Sequence, residues 1–197
     1  MGTGLVPQKL LLWWPVAAIS LLSILGWAVR TGPTAIDIWF QHSGRPWWRL
    51  LYLSDEKVLL AGLLVAALGI GYRRRWVVVV LMFAVPIATV ALIRPLKLAF
   101  GRLKDDALCY PSGHTTLLVA SLGMVVFGFG ATLWRIAAAV IYCLLGAFGL
   151  SATYHYFTDT VGGVLMGTSA ISISLYLLNR WRSVRASTSD AAPDAVT

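Results

Sequence analysis

Six apolar runs, each close to the length a helix needs to cross a bilayer, divide this chain and leave little room for a soluble fold. A hydrocarbon core about 30 Å thick takes roughly 20 helical residues. The runs are Leu10 to Val29, Lys57 to Tyr72, Trp76 to Ile93, Thr115 to Phe129, Leu133 to Tyr154 and Val161 to Leu178. Segments that face lipid must satisfy their own backbone, so they are read as helices. A β-barrel would instead show alternating strands of roughly ten residues. Composition agrees: 58% of residues are hydrophobic and 12% charged, against roughly 45–50% and 25% in soluble domains. The expected fold is therefore all-α, an integral membrane bundle of six transmembrane helices. It forms one domain over residues 1–185, followed by a Ser/Ala/Asp-rich tail at 186–197 that reads as disordered. The first run is too long for a typical signal-peptide core and is taken as an uncleaved span.

The chain carries 16 Lys+Arg against 8 Asp+Glu, a formal charge of +8. In a soluble protein that excess would point to nucleic acid. Here the basic residues sit in short links and the tail, so no nucleic-acid partner is expected; the partners are membrane lipids. Lys9, Arg73 to Arg75, Arg135, Arg180, Arg182 and Arg185 fall on one side of a six-span chain. Basic links mark the cytoplasmic side, which puts both termini there and sends links 31–56, 94–114 and 155–160 outward. Link 94–114 is basic too, and its charges are assigned to chemistry. Link 31–56 holds Trp39, Phe40, Trp47, Trp48 and Tyr52 and should lie partly along the membrane surface. Cys109 and Cys143 do not make a disulfide framework.

Three polar clusters interrupt the apolar pattern. Lys97, Arg102 and Lys104 place three cations in eight residues, suited to a multiply charged anion. Tyr110-Pro111-Ser112-Gly113-His114-Thr115 opens the fourth span. Ser112 and Gly113 precede its helix, whose first N–H groups and dipole favour phosphate, and Gly113 permits close backbone approach. Tyr154-His155-Tyr156-Phe157-Thr158-Asp159 opens the sixth. Two spans separate the second cluster from the third, so all three lie on one face of the membrane. His155 and Asp159 are four apart and share a helix face if the sixth helix begins there. A carboxylate accepting from one imidazole nitrogen leaves the other free to attack, and His114 beside the anion site is placed to donate a proton.

Pro111-Ser112-Gly113-His114 together with His155-x3-Asp159 resembles the type 2 phosphatidic acid phosphatase (PAP2) superfamily of membrane lipid phosphatases. The resemblance covers residues 57–178. The family's first motif is Lys-x6-Arg-Pro; Lys97 matches its Lys, while Lys104 and Asp105 stand at Arg-Pro. The third is Ser-Arg-x5-His-x3-Asp; His155 and Asp159 match, while Phe148 and Gly149 stand at Ser-Arg. The resemblance implies a six-span lipid phosphatase with its site at the outer surface. His155 would be the nucleophile forming a phosphohistidine, Asp159 its orienting carboxylate and His114 the acid. Lys97, Ser112 and Gly113 would hold phosphate, with no metal and no cofactor. Arg102 and Lys104 are added as phosphate ligands to offset the Arg missing at Gly149. Polyprenyl phosphates or diphosphates, phosphatidic acid and phosphatidylglycerophosphate are the candidate substrates. The short link from Lys104 to Ser112 favours a small headgroup.

Plainer readings stand beside these. Pro-Ser-Gly-His alone is an ordinary turn and helix cap. The cations can be headgroup contacts, the preferred reading for Arg94 but not for Lys97, with Arg102 between the two. His42 reads as a solvated loop residue, Gly163-x3-Gly167 as close helix packing, and Pro86 as a kink. Cys109 has no assigned role. Rival functions are phosphoryl transfer to an acceptor other than water, and a non-catalytic lipid-phosphate binder or flippase. Two His and one Asp also suit a metal hydrolase, although the neighbouring cations oppose a divalent ion.

Overall fold

Each apolar run forms a helix in the computed structural model, which describes residues 7–43 and 45–190. The long helices are α1 (Gln8–Val29), α3 (Glu56–Tyr72), α4 (Trp76–Ala91), α6 (Gly113–Phe129), α7 (Leu133–Ser151) and α8 (Phe157–Asp190). Short α2 (Ala35–His42) and α5 (Ile93–Phe100) lie in the links. Four stretches are long and apolar enough to cross a membrane: Gln8–Val29, Trp76–Phe100, Leu133–Ser151 and Phe157–Arg185. Of the six expected spans, α3 and α6 fall just short of the usual length, at 17 residues each. Large apolar side chains such as Trp13, Val65, Leu68 and Leu133 point outward, the pattern of a lipid-facing surface.

Several boundaries differ from the sequence reading, three of them for a clear local reason. The third span runs past Ile93, because α5 continues α4 after a single turn at Leu92 and carries Lys97 to the end of the span. The fourth begins at Gly113 rather than Thr115, since the Ser112 hydroxyl caps it by accepting from the Thr115 N–H. The last begins at Phe157 rather than Val161, since the Asp159 carboxylate accepts from the Tyr156 N–H at 3.0 Å and closes its first turn. At the other end α8 continues to Asp190, so residues 186–190, read as disordered, are helical. The remainder of the tail lies outside the described residues.

The two long links, 31–56 and 94–114, are built rather than loose. In the first, α2 starts on a capping box in which the Thr34 side chain accepts from the Asp37 N–H and Asp37 accepts from the Thr34 N–H. A 3₁₀ segment, Arg45–Ser54, then lies against α7. Phe40 stacks on Phe157 at 4.6 Å and meets Phe148 edge-on, with Trp47 on the other side of Phe148. In the second, β1 (Leu103–Lys104) pairs antiparallel with β2 (Ala107–Leu108). Asp105 and Asp106 turn between them with φ of 49° and 63°, the left-handed pair that a two-residue hairpin needs.

Helix α6 is the centre of the bundle, packed against α4, α7 and α8. Gly163 and Gly167 set the α6–α8 approach, as the sequence spacing suggests. A Cβ on Gly163 would stand 2.7 Å from the Ser112 carbonyl and the Thr115 Cβ, and one on Gly167 would stand 2.8 Å from Val119 Cβ. The two ends of α6 differ in charge. Arg75 and Arg135 donate to the Gly128, Phe129 and Gly130 carbonyls at its C-terminus, where the helix dipole favours cations. Ser112, Gly113 and His114 mark its N-terminus. Gly163→Leu should push α8 off α6 and cost about 1–3 kcal/mol or more through overpacking. The measurement is the midpoint of thermal unfolding in detergent; a wild-type midpoint would mean the two helices do not touch here.

Candidate active site

The site is built where three chain segments meet at the N-terminal end of α6. The Ser112 N–H donates to the Asp159 carbonyl at 3.0 Å, which ties the second polar cluster to the third. His155 precedes α8 by two residues instead of lying within it, and its backbone N–H is held by the Leu150 carbonyl. Its ring lies 5.9 Å from that of His114, centroid to centroid. A cavity of about 550 Å³ opens beside both, lined also by Lys97, Lys104, Gly113, Glu56 and Asp105. A Cβ on Gly113 would meet only Ile93, at an ordinary 3.7 Å. Packing therefore does not demand glycine there, whereas close approach of a ligand to the backbone does.

The two lysines reach the cavity differently. Lys97, on α5, donates to the Leu108 carbonyl at 2.8 Å. Lys104, on β1, donates to the Gln41 side-chain oxygen at 2.9 Å and the Thr153 carbonyl at 3.0 Å, and lies 5.1 Å from the Tyr156 ring centroid. Burial lowers the Lys104 pKa from its ordinary value, opposed by the negative charges of Asp105 and Asp159. His114 is partly exposed, with Nε2 3.9 Å from a Glu56 carboxylate oxygen. His155 is nearly buried, and its Nδ1 lies 3.7 Å from Asp159 Oδ2. That nitrogen has no hydrogen-bond partner among the described residues, so the carboxylate is in ion-pair range but short of a hydrogen bond.

Arg102, Ser112 and Asp159 lie behind the cavity wall, fully buried. Arg102 does not stand where a phosphate ligand must. Its Nη1 donates to Asp159 Oδ1 and Thr158 Oγ1, each at 2.6 Å, and its Nη2 to Asp37 Oδ2 at 2.8 Å and the Gly32 carbonyl at 3.0 Å. Nε of the guanidinium is buried with no hydrogen-bond partner among the described residues, while both Nη atoms are thus engaged by carboxylates. The cause is Asp37, 65 positions upstream of Arg102 on α2. Burial alone would raise the Asp37 carboxyl, but the Thr158 and Thr34 N–H groups and Arg102 hold it below the usual range. Ser112 donates its N–H to the Asp159 carbonyl, and its hydroxyl oxygen accepts from the Thr115 N–H at the cap.

The position where the family pattern places an Arg is closed. A Cβ on Gly149 would stand 2.7 Å from Leu50 Cβ and 2.9 Å from the Leu50 carbonyl carbon, so the 3₁₀ segment fills that space. Cys109 is inert: burial, with Asp159 adding to it, pushes its thiol up to about 12, and Sγ donates to the Arg102 carbonyl at 3.4 Å. His42 is exposed at the end of α2. Sequence reasoning missed Asp37, Gln41 and Thr158. The Thr34-x-x-Asp37 capping box signals the start of α2, but nothing in it signals Arg102 as a partner.

No family model and no curated protein matches this sequence. A solved structure does: the crystal structure of a transmembrane PAP2 type phosphatidylglycerolphosphate phosphatase from Bacillus subtilis superposes with a TM-score of 0.71. The match covers 85% of this chain and 96% of that one at 18% identity. Arg102→Met should lower stability by about 3–5 kcal/mol, because it strands two buried carboxylates. Thermal unfolding in detergent reads this, and a variant that melts like wild type but loses lipid-phosphate turnover would return Arg102 to the role of ligand. At this sequence distance the likeness is one of architecture: the chain has the fold of a PAP2-type membrane phosphatase.

Proposed function

We propose that the chain is a membrane lipid phosphatase that works through a phosphohistidine. The carrying observation is the pair of histidine rings, 5.9 Å apart, at a cavity also lined by two lysines. His155 Nε2 attacks phosphorus while His114 gives its proton to the departing lipid oxygen. Water then attacks the phosphohistidine, His114 takes the water's proton, and the N–P bond breaks to release phosphate. Asp159 faces Nδ1 and stabilises the imidazolium as charge develops. Lys97, Lys104 and the first turn of α6 at Gly113 hold the phosphate oxygens. A phosphoryl transition state spreads charge over three oxygens, so such cations carry most of the stabilisation.

The substrate is a lipid phosphate or diphosphate with a small headgroup; polyprenyl phosphates, phosphatidic acid and phosphatidylglycerophosphate all fit. The relative of solved structure is named for the last of these. The site faces away from the cytoplasm in a six-span arrangement with both termini inside. What supports this is that Arg75 and Arg135 cluster at one end of α6 and the candidate site at the other. Among the described residues no group of three His, Cys, Asp or Glu side chains is placed to hold a metal ion. A non-catalytic lipid-phosphate binder is the second reading. It is favoured by the withdrawal of Arg102 and the closure of the Gly149 position, which leave no guanidinium from either at the cavity.

Purified protein in detergent should release inorganic phosphate from at least one of these lipids, with chelator making no difference, and His155→Ala should abolish the release. Binding without release in wild type would establish the second reading instead. Lys104→Ala should reduce turnover about 100- to 1000-fold, the loss typical of one charge-stabilising donor, while Lys104→Arg retains it. Because burial lowers the Lys104 pKa, the sign is fixed: the charged form is lost as pH rises, at a pH below that of an ordinary lysine. Turnover should show that loss as a second alkaline limb, above the one set by the His114 acid, and a second limb unchanged in Lys104→Arg would show that another group titrates there.

A further inference from the structure

No motif marks α2 as part of the site, yet one of its faces reaches both halves of the cavity. Asp37 and Gln41 lie one turn apart on that face. Gln41 Nε2 donates to the Ser151 carbonyl at 2.8 Å and the His155 carbonyl at 2.9 Å. Its side-chain oxygen accepts from Lys104 Nζ at 2.9 Å. The two carbonyls bracket the turn that carries His155, and one amide joins that turn to the cation opposite. Phe40 on Phe157 and Asp37 on the Thr158 N–H dock α2 to the start of α8 and fix where Gln41 can reach.

We infer that Gln41 is a positioning residue: it pins the 151–155 turn so that His155 faces the cavity, and it aims Lys104 at the same space. This rests on the phosphatase reading. An ammonium has three donors. Gln41 and the Thr153 carbonyl take two, so the third is directed by the first pair. Misplacing a reacting group by about 1 Å can cost about 100-fold in rate, and a flexible four-carbon side chain is easily misplaced.

The experiment uses the full chain in detergent. Gln41→Met keeps length and packing but makes no hydrogen bond; Gln41→Glu keeps the acceptor for Lys104 and loses both donors. Lys104 faces Asp105, Asp159, Asp37 and the Cys109 thiol, besides the Tyr156 ring and Gln41. Removing an acceptor from an ammonium favours the neutral amine, and a carboxylate favours the charged form. Gln41→Met should therefore drop kcat about 100-fold and move the second, Lys104 alkaline limb to lower pH, whereas Gln41→Glu moves it to higher pH. In a Lys104→Ala background the Gln41→Met loss should shrink, because the two residues act together. Losses that multiply independently, or limbs that do not move, overturn the inference. A measurement free of turnover separates the two proposals. Diethyl pyrocarbonate should modify His155 faster in Gln41→Met than in wild type, with exposed His42 as the internal reference. Equal His155 modification overturns the pin even if wild type proves inactive. Absence of phosphate release with faster modification overturns only the phosphatase reading. If Gln41→Met does not fold, Gln41→Glu carries both readouts.

Discussion

The Arg102 guanidinium, shared between the buried carboxylates of Asp37 and Asp159, is the contact on which the end of the bundle that holds the cavity depends. Moving a charge out of water costs several kcal/mol even after relaxation, and an ion pair offsets that only when its remaining hydrogen-bonding capacity is filled. Here it nearly is. Both Nη atoms make two bonds, Asp37 also accepts from Thr34 and Thr158, and Asp159 also accepts from Tyr156. Such a network tolerates few alternative arrangements. Three segments distant in sequence enter it: the start of the first link together with α2, Arg102 at the foot of the hairpin, and the first turn of α8. Their relative placement is set together, and with it the position of Asp159 behind His155.

That placement accounts for what could and could not be read from the chain. Apolar runs predict helices because the bilayer forbids most alternatives, and each run does form one. Ser112 announces the start of α6 because a serine before an apolar helix has one strong local use. His155, His114, Lys97 and Lys104 were legible because polar groups at the end of a span need a reason, and all four line the cavity. Arg102 reads like its neighbours because it is one more cation in a basic link. What distinguishes it is Asp37, and a partner 65 residues away leaves no pattern that spacing can detect. The start of α8 was missed for a related reason. Asp159 reads only as the partner of His155, whereas its carboxylate also caps the helix and so brings its start forward from Val161 to Phe157, two residues after His155.

The aromatic residues of the first link have more than an interfacial role. Phe40, Trp47 and Phe148 form a packed group with Phe157, and the 3₁₀ segment behind them occupies the space that a larger residue at Gly149 would need. Phe148 and Gly149 are thus a matched pair of departures from the family pattern: an aromatic ring to pack on, and a small residue where backbone crosses. A guanidinium restored at Gly149 would have to displace Leu50 and Leu51, so the closure belongs to the fold rather than to one side chain. A Cβ on Gly146, one turn earlier, would stand 2.8 Å from Ser54 Oγ and 2.7 Å from Leu118 Cδ2. The segment therefore follows the α7 surface for more than one turn.

The same closure shapes the electrostatics of the cavity. With one Arg excluded at Gly149 and the other turned inward to Asp37 and Asp159, the cations that line the space are Lys97 and Lys104. Glu56 and Asp105 line it too, so the formal charge of its lysines and carboxylates sums to zero. If the cavity takes a phosphate, as proposed, its attraction cannot come from a general positive field, which at long range is screened within about 8–10 Å. It has to come from distance: an ammonium brought within contact of an oxygen while the carboxylates stay at the rim. Ammonium groups are point charges on flexible stems and lack the planar fork that orients a guanidinium on phosphate. A site that relies on them needs outside help to hold them still. Lys97 has the hairpin carbonyl of Leu108, and Lys104 has the carbonyl of Thr153 and the amide of Gln41. The hairpin and α2, which at first sight merely connect spans, are in this sense the counterpart of the missing arginines.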